Sequence, residues 1–156
     1  MSTWWANSNY WDIGIYMGGA NVGCSNPNLT KSWVTTVHSK GWNMVPVWVG
    51  LQGGGNSCGC STMSTDPATA YNQGKSAANN ATDAADTLGF VSPYVVYYDL
   101  EAYNYTNATY RNAVRNYLSG CLRPAAEPLR GRVRCLRIGC RVRRLRLVHE
   151  RYSTSE

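Results

Sequence analysis

The chain has 156 residues, enough for one domain with a core of its own. Its formal charge of +6 is lopsided: residues 121–156 hold ten Arg, no Lys and three Glu, whereas residues 1–120 hold five Lys or Arg against six Asp or Glu. Any nucleic-acid reading therefore rests on the tail alone, no apolar run is long enough to cross a membrane, and two His without a Cys-x-x-Cys pair argue against zinc.

Residues 4–11 are a polar and aromatic lead-in, either the tail of a helix or an irregular loop. Ile13-Gly14-Ile15-Tyr16-Met17-Gly18-Gly19 reads as a short strand that its glycines release into a turn. Residues 27–40 read as a helix: Asn26 caps it, Pro27 suits the first helical position, and Leu29, Trp33, Val34 and Val37 form its apolar face. Gly41 stops it. Met44-Val45-Pro46-Val47-Trp48-Val49-Gly50 is the second strand, where Pro46 predicts a bulge or an edge position.

Residues 52–65 form a Gly, Ser and Cys loop of a length associated with function or disorder. Cys58-Gly59-Cys60 within it reads as structural, each thiol pairing with a distant one. Asp66-Pro67 opens a long helix that ends at Gly89. Its Ala70, Gly74, Ala77, Ala78, Ala81, Ala84 and Ala85 are small enough to let it lie close against a sheet. Val95-Val96-Tyr97-Tyr98 reads as a strand buried on both faces, because nothing polar alternates with it. Residues 106–118 are a further helix, with Tyr110, Val114, Tyr117 and Leu118 inward and Gly120 closing it.

Strand and helix thus alternate at a spacing that predicts parallel strands joined by right-handed crossovers, with the functional face at the strand C-termini. Gly18-Gly19-Ala20-Asn21, Leu51-Gln52 and Asp99-Leu100-Glu101 all fall on that face. Residues i and i+2 of an extended segment share a side, so Asp99 and Glu101 point together. Two carboxylates so placed repel, which raises at least one pKa and offers a proton donor and an acceptor in one place. Solvated residues at a strand exit are the plain alternative.

From Cys121 onward the text changes. Residues 121–156 show no clean helical or strand alternation, and Arg without Lys is what GC-rich coding sequence yields out of frame. We expect this tail to be frameshifted or disordered; a phosphate-binding Arg-rich tail is the competing reading.

Three stretches carry a resemblance. They are Gly14-Ile15-Tyr16-Met17-Gly18-Gly19-Ala20-Asn21 with Cys24, Asn28-Leu29-Thr30 and Trp33-Val34; Gly41-Trp42 through Val49-Gly50-Leu51-Gln52 with Cys58-Gly59-Cys60; and Tyr97-Tyr98-Asp99-Leu100-Glu101-Ala102-Tyr103. Together they resemble the bacterial glycoside hydrolase-like family catalogued as domain of unknown function 1906, which is distantly similar to the glycoside hydrolase family 25 lysozymes. The resemblance covers roughly residues 10–120. It implies a TIM-like (β/α) barrel, present here in part as about three to four βα units.

The resemblance also implies Glu101 as general acid and Asp99 as its partner. Tyr16, Asn21, Trp48, Gln52, Tyr98 and Tyr103 are the candidates for holding a sugar, with no metal and no cofactor. The implied partner is a polysaccharide or peptidoglycan, with no nucleic acid and no membrane, and the chain is expected to be a monomer. The family is extracellular or cell-wall associated, although Met1-Ser2-Thr3-Trp4-Trp5 is not a signal peptide.

The family opens with a Gly-Phe-Asp strand, often followed by Cys, that has no counterpart here. That Cys is the mate implied for Cys24, and Asp12, which precedes its strand, cannot replace the Asp. Three functions follow as expectations: a glycan hydrolase, a glycan-binding domain without turnover, and a non-functional truncated fragment.

Overall fold

Helix and strand alternate along the chain as α1 (Ser2–Asn7), β1 (Asp12–Gly18), α2 (Lys31–Ser39), β2 (Asn43–Trp48), α3 (Pro67–Thr87), β3 (Val95–Tyr98), α4 (Ala108–Leu122) and β4 (Arg132–Arg134). The computed structural model describes residues 2–91, 93–122 and, as backbone, 132–134. The sheet runs β1-β2-β3-β4, and every neighbouring pair is parallel. The expected α/β class with parallel strands is the observed one. No helix among the described residues is long and apolar enough to cross a membrane.

The core lies between one face of the sheet and the helices α3 and α4. Val96, Tyr98 and Leu100 alternate toward that side and pack against Ala70, Ala81, Ala85, Ala113, Val114 and Tyr117. The rings of Tyr98 and Tyr117 lie 5.4 Å apart and tilted, a geometry that adds about 0.5–1.5 kcal/mol to their burial. Trp48 joins both apolar clusters from β2. By the same alternation Tyr16, Val47, Tyr97 and Asp99 face the other way. Val95 and Tyr97 are only partly buried, so β3 is fully buried on one face and not on both.

Several boundaries differ from the sequence reading. Helix α2 starts at Lys31 rather than residue 27, because the Thr30 hydroxyl accepts a hydrogen bond from the Trp33 amide at 3.2 Å and so acts as N-cap. Asn26, Pro27, Asn28 and Leu29 consequently stay in a loop. Asp66 caps α3 as expected, accepting from the Thr69 amide at 2.8 Å.

Pro46 produces no bulge. The register irregularity sits at Tyr16 to Gly18 instead, and β2 is a central strand. Pro46 has the parity of Trp48, whose carbonyl accepts from Asp99 N on the β3 side, while pairing with β3 begins only at Val47. The missing donor therefore falls outside the paired register.

Helix α4 runs through Gly120 to Leu122, two residues into the stretch read as tail, with Gly120 and Cys121 buried. A Cβ on Gly74 would meet the Tyr117 carbonyl of α4, and one on Gly120 the Tyr71 carbonyl of α3. The small residues of α3 thus serve a close helix–helix contact as well as the sheet. Strand β4, where no strand was expected, pairs Arg132–Arg134 with Val95–Tyr97. The remaining readings on residues 123–131 and 135–156 lie outside the described residues.

Candidate functional site

The β1, β2 and β3 exits meet at one end of the sheet. Asp99 donates its amide to the Trp48 carbonyl at 3.0 Å, Val49 to that of Gly18 at 2.9 Å, and Asn21 to that of Val49 at 3.0 Å. Two side-chain amides then tie the exits together. Gln52 Nε2 donates to the Gly50 and Asp99 carbonyls at 3.1 and 2.9 Å, and its Oε1 accepts the Glu101 amide at 2.8 Å. Asn21 Nδ2 donates to the Gly50 and Ser61 carbonyls at 2.8 and 2.9 Å, and its Oδ1 accepts the Ser61 amide at 2.8 Å.

Asp99 and Glu101 both open into a cleft of about 700 Å³, which Val49, Gly14, Ile15 and Tyr16 line from the sheet. The segment between β1 and α2 adds Asn26, Asn28 and Leu29 to the lining, and α2 adds Trp33. Asn26 fixes that segment to β1 by donating to the Tyr16 carbonyl at 2.9 Å. Glu101 is exposed, whereas Asp99 retains 9% of its accessible surface. Burial pushes the Asp99 carboxyl above the ordinary aspartate value, because the charged form loses hydration. The two carboxyls therefore share a cleft but not an environment.

The structure brings together only some of the residues predicted to hold a sugar. Tyr16 lines the cleft and is 50% exposed. Asn21 lines it too, with its amide engaged by backbone on both sides. Tyr98 does not belong there. It is 1% exposed on the helical side of the sheet, and its hydroxyl donates to the Leu51 carbonyl. Trp48 shares that side and lines a separate groove with Ala20, Gln73 and Tyr117. Tyr103 packs on Gly53 and on the apolar cluster around Tyr98. Gln52 is fully buried, so its carboxamide faces protein rather than ligand.

Asn26 and Asn28 are cleft residues in the loop before α2, where the sequence reading expects a helix cap and its first turn; Trp33 lines the cleft from α2 itself. The signal was present: Thr30 three residues before Trp33 is a capping pattern that frees everything upstream of it. The 53–61 loop is ordered by Asn56, which donates to the Gly53 and Cys60 carbonyls at 3.0 and 3.2 Å and accepts the Cys60 amide at 3.1 Å. Cys58 and Cys60 pair with each other, Cα to Cα 5.2 Å, and not with distant thiols. Cys24 is exposed and forms no disulfide among the described residues.

A parallel α/β sheet with a carboxylate pair at the strand C-termini, set in an open cleft, is the class of protein that this geometry defines. The chain matches the Rv2525c-like, glycoside hydrolase-like domain over residues 2–133, and it belongs to that family. No curated protein and no solved structure matches it.

Proposed function

We propose that this chain is a glycoside hydrolase-like domain acting on a cell-wall glycan of the peptidoglycan type, built on part of a TIM-like (β/α) barrel. The observation that supports it is the cleft that Asp99 and Glu101 share with the half-exposed Tyr16. Glu101 stands exposed at the strand exit, where a glycosidic oxygen can reach it. Asp99, ionised above its raised pKa, stabilises the positive charge that develops on the sugar. The proton travels from Glu101 to the leaving oxygen as the glycosidic C–O bond breaks; water adds its hydroxyl to the sugar carbon and its proton returns to Glu101.

A second reading has its own support. The cleft is open and walled by Tyr16, Trp33 and two loop amides, Asn26 and Asn28, which suits holding a sugar chain without cutting it. One assay separates the two. Insoluble peptidoglycan is incubated with the wild type, Glu101→Gln and Asp99→Asn, and both bound protein and released reducing ends are measured. Hydrolysis predicts release by the wild type and a loss of about 10²-fold or more in Glu101→Gln. Binding by all three proteins with no released ends supports the second reading and removes the first.

A further inference from the structure

We propose that Gln52 is a positioning residue for the Asp99 and Glu101 pair: its carboxamide supplies the ladder bonds that keep both carboxylates on the cleft side of the sheet. The effect on rate rests on the hydrolysis reading; the effect on geometry does not.

Regular pairing of β3 with β2 ends at Tyr98, one residue before the first carboxylate. The last backbone bond runs from Asp99 N to the Trp48 carbonyl. β2 itself ends at Trp48. An unpaired exit would let residues 99–101 rotate, and the spacing that puts Asp99 and Glu101 on one side would be lost.

The Gln52 side chain fills that gap. In a parallel ladder a residue donates to the carbonyl just before its opposite residue and accepts the amide just after it. Gln52 donates to the Asp99 carbonyl and accepts the Glu101 amide, so its carboxamide takes the place of a backbone residue opposite Leu100. Leu100 is accordingly driven into the core at 2% exposure, while its neighbours on both sides face the cleft.

The carboxamide cannot flip, because both acceptors of its Nε2 are carbonyls and the partner of its Oε1 is an N–H. The backbone of the same residue is pinned as well. Gln52 N donates to the Ser61 carbonyl at 2.9 Å, and Met63 N donates to the Gln52 carbonyl at 3.0 Å. A polar side chain with no exposed surface and all of its bonds to backbone is doing structural alignment, and the backbone that it aligns carries the two carboxylates. The titratable groups next to it are Asp99 and Glu101 themselves and the Tyr98 hydroxyl, which is engaged with the Leu51 carbonyl.

Two variants test this. Gln52→Met keeps length and removes every side-chain bond. With a cooperative melt retained, exchange of the Glu101 amide hydrogen should quicken about tenfold or more. The Asp99 carboxyl, followed by NMR titration, should move down toward 3.8 as the segment opens to water. On an active wild type, kcat should fall about tenfold with KM nearly unchanged, since the cleft walls stay in place. Wild-type exchange and titration in folded Gln52→Met would overturn the proposal.

Gln52→Glu covers the case in which the methionine variant does not fold. A protonated carboxyl keeps one donor for the Asp99 carbonyl and one acceptor for the Glu101 amide, giving up only the bond to the Gly50 carbonyl, whereas an ionised one sets a negative oxygen against two carbonyls. The Glu101 amide proton shift should match wild type near pH 4 and depart from it near pH 7; identical shifts relative to wild type at both pH values would overturn the proposal. A wild type that releases no reducing ends at any pH ends the hydrolysis reading, while exchange, titration and amide shift still decide the role of Gln52.

Discussion

Gly74 and Gly120 let α3 and α4 cross with their backbones in contact: a side chain on either would overlap a carbonyl of the opposite helix. The atoms in the way are main-chain atoms that cannot turn aside, so the helices would have to separate. Separation would loosen Ala70, Val114 and Tyr117, which fill the core beneath β3. Gly74→Ala or Gly120→Ala should therefore destabilise the chain by about 1–3 kcal/mol despite a gain of up to about 1 kcal/mol in helix propensity. Gly23→Ala, where a Cβ meets nothing within 4 Å, should change stability little. Urea melts of the three variants check both statements.

Two aspartates respond to pH with opposite signs. The Asp66 carboxylate caps α3, and its hydrogen bonds to the Thr69 hydroxyl and amide hold its pKa below the usual value. A depressed folded pKa stabilises the folded state above the unfolded pKa, and that stability is lost as the pH falls through the folded pKa. Asp99 is raised by burial, so its contribution is present in full below 3.8 and is lost as the pH rises through the folded value. Asp99→Asn should therefore raise the Tm at pH 7 relative to wild type, and the difference should shrink toward pH 4. Asp66→Asn keeps a capping oxygen and should flatten the acid limb of the stability curve. Thermal melts across pH 3–7 distinguish the two.

Much of the site was legible in the sequence, for a physical reason. Alternation along a strand fixes which residues share a face, and it placed Asp99 and Glu101 together before any coordinates. The same alternation separates Tyr98 from Asp99, so its place in the core was equally readable; its aromatic ring had suggested sugar stacking instead. What local pattern cannot carry is a bond across the chain. Gln52 meets the β3 exit 47 and 49 residues downstream, and no spacing within its own segment announces that. The start of α2 was misplaced because Pro27 and Thr30 both begin helices well, and only the Thr30 to Trp33 bond decides between them.

The cysteine pairing yields a chemical test. Peptide mapping of the unreduced protein should find Cys58 joined to Cys60 within one short peptide, and Cys24 should take up an alkylating reagent without denaturant. Closing so small a ring removes little chain entropy, so Cys58→Ser with Cys60→Ser should cost no more than about 1–2 kcal/mol. Asn56→Ala should cost about as much or more, because that one side chain makes three backbone bonds across the same loop. Cys58 or Cys60 joined to Cys24 would instead support the reading in which each loop thiol pairs with a distant one.

The placement of Tyr16 and Tyr98 on opposite sides of the sheet separates ligand contact from packing. Tyr16 is half-exposed at the cleft, and a sugar ring laid on it would cover apolar carbon on both partners. Tyr16→Ala should weaken retention on insoluble glycan by roughly three- to tenfold, with the melt unchanged within about 0.5 kcal/mol. Tyr98→Phe keeps the ring against Tyr117 but leaves the Leu51 carbonyl without that donor, at a cost of about 1 kcal/mol in stability. Its glycan retention should equal that of wild type, because the hydroxyl points away from the cleft face. Retention and melting measured on the same preparations give the comparison: reversed effects would place the ligand on the helical side of the sheet, in the groove lined by Trp48 and Tyr117.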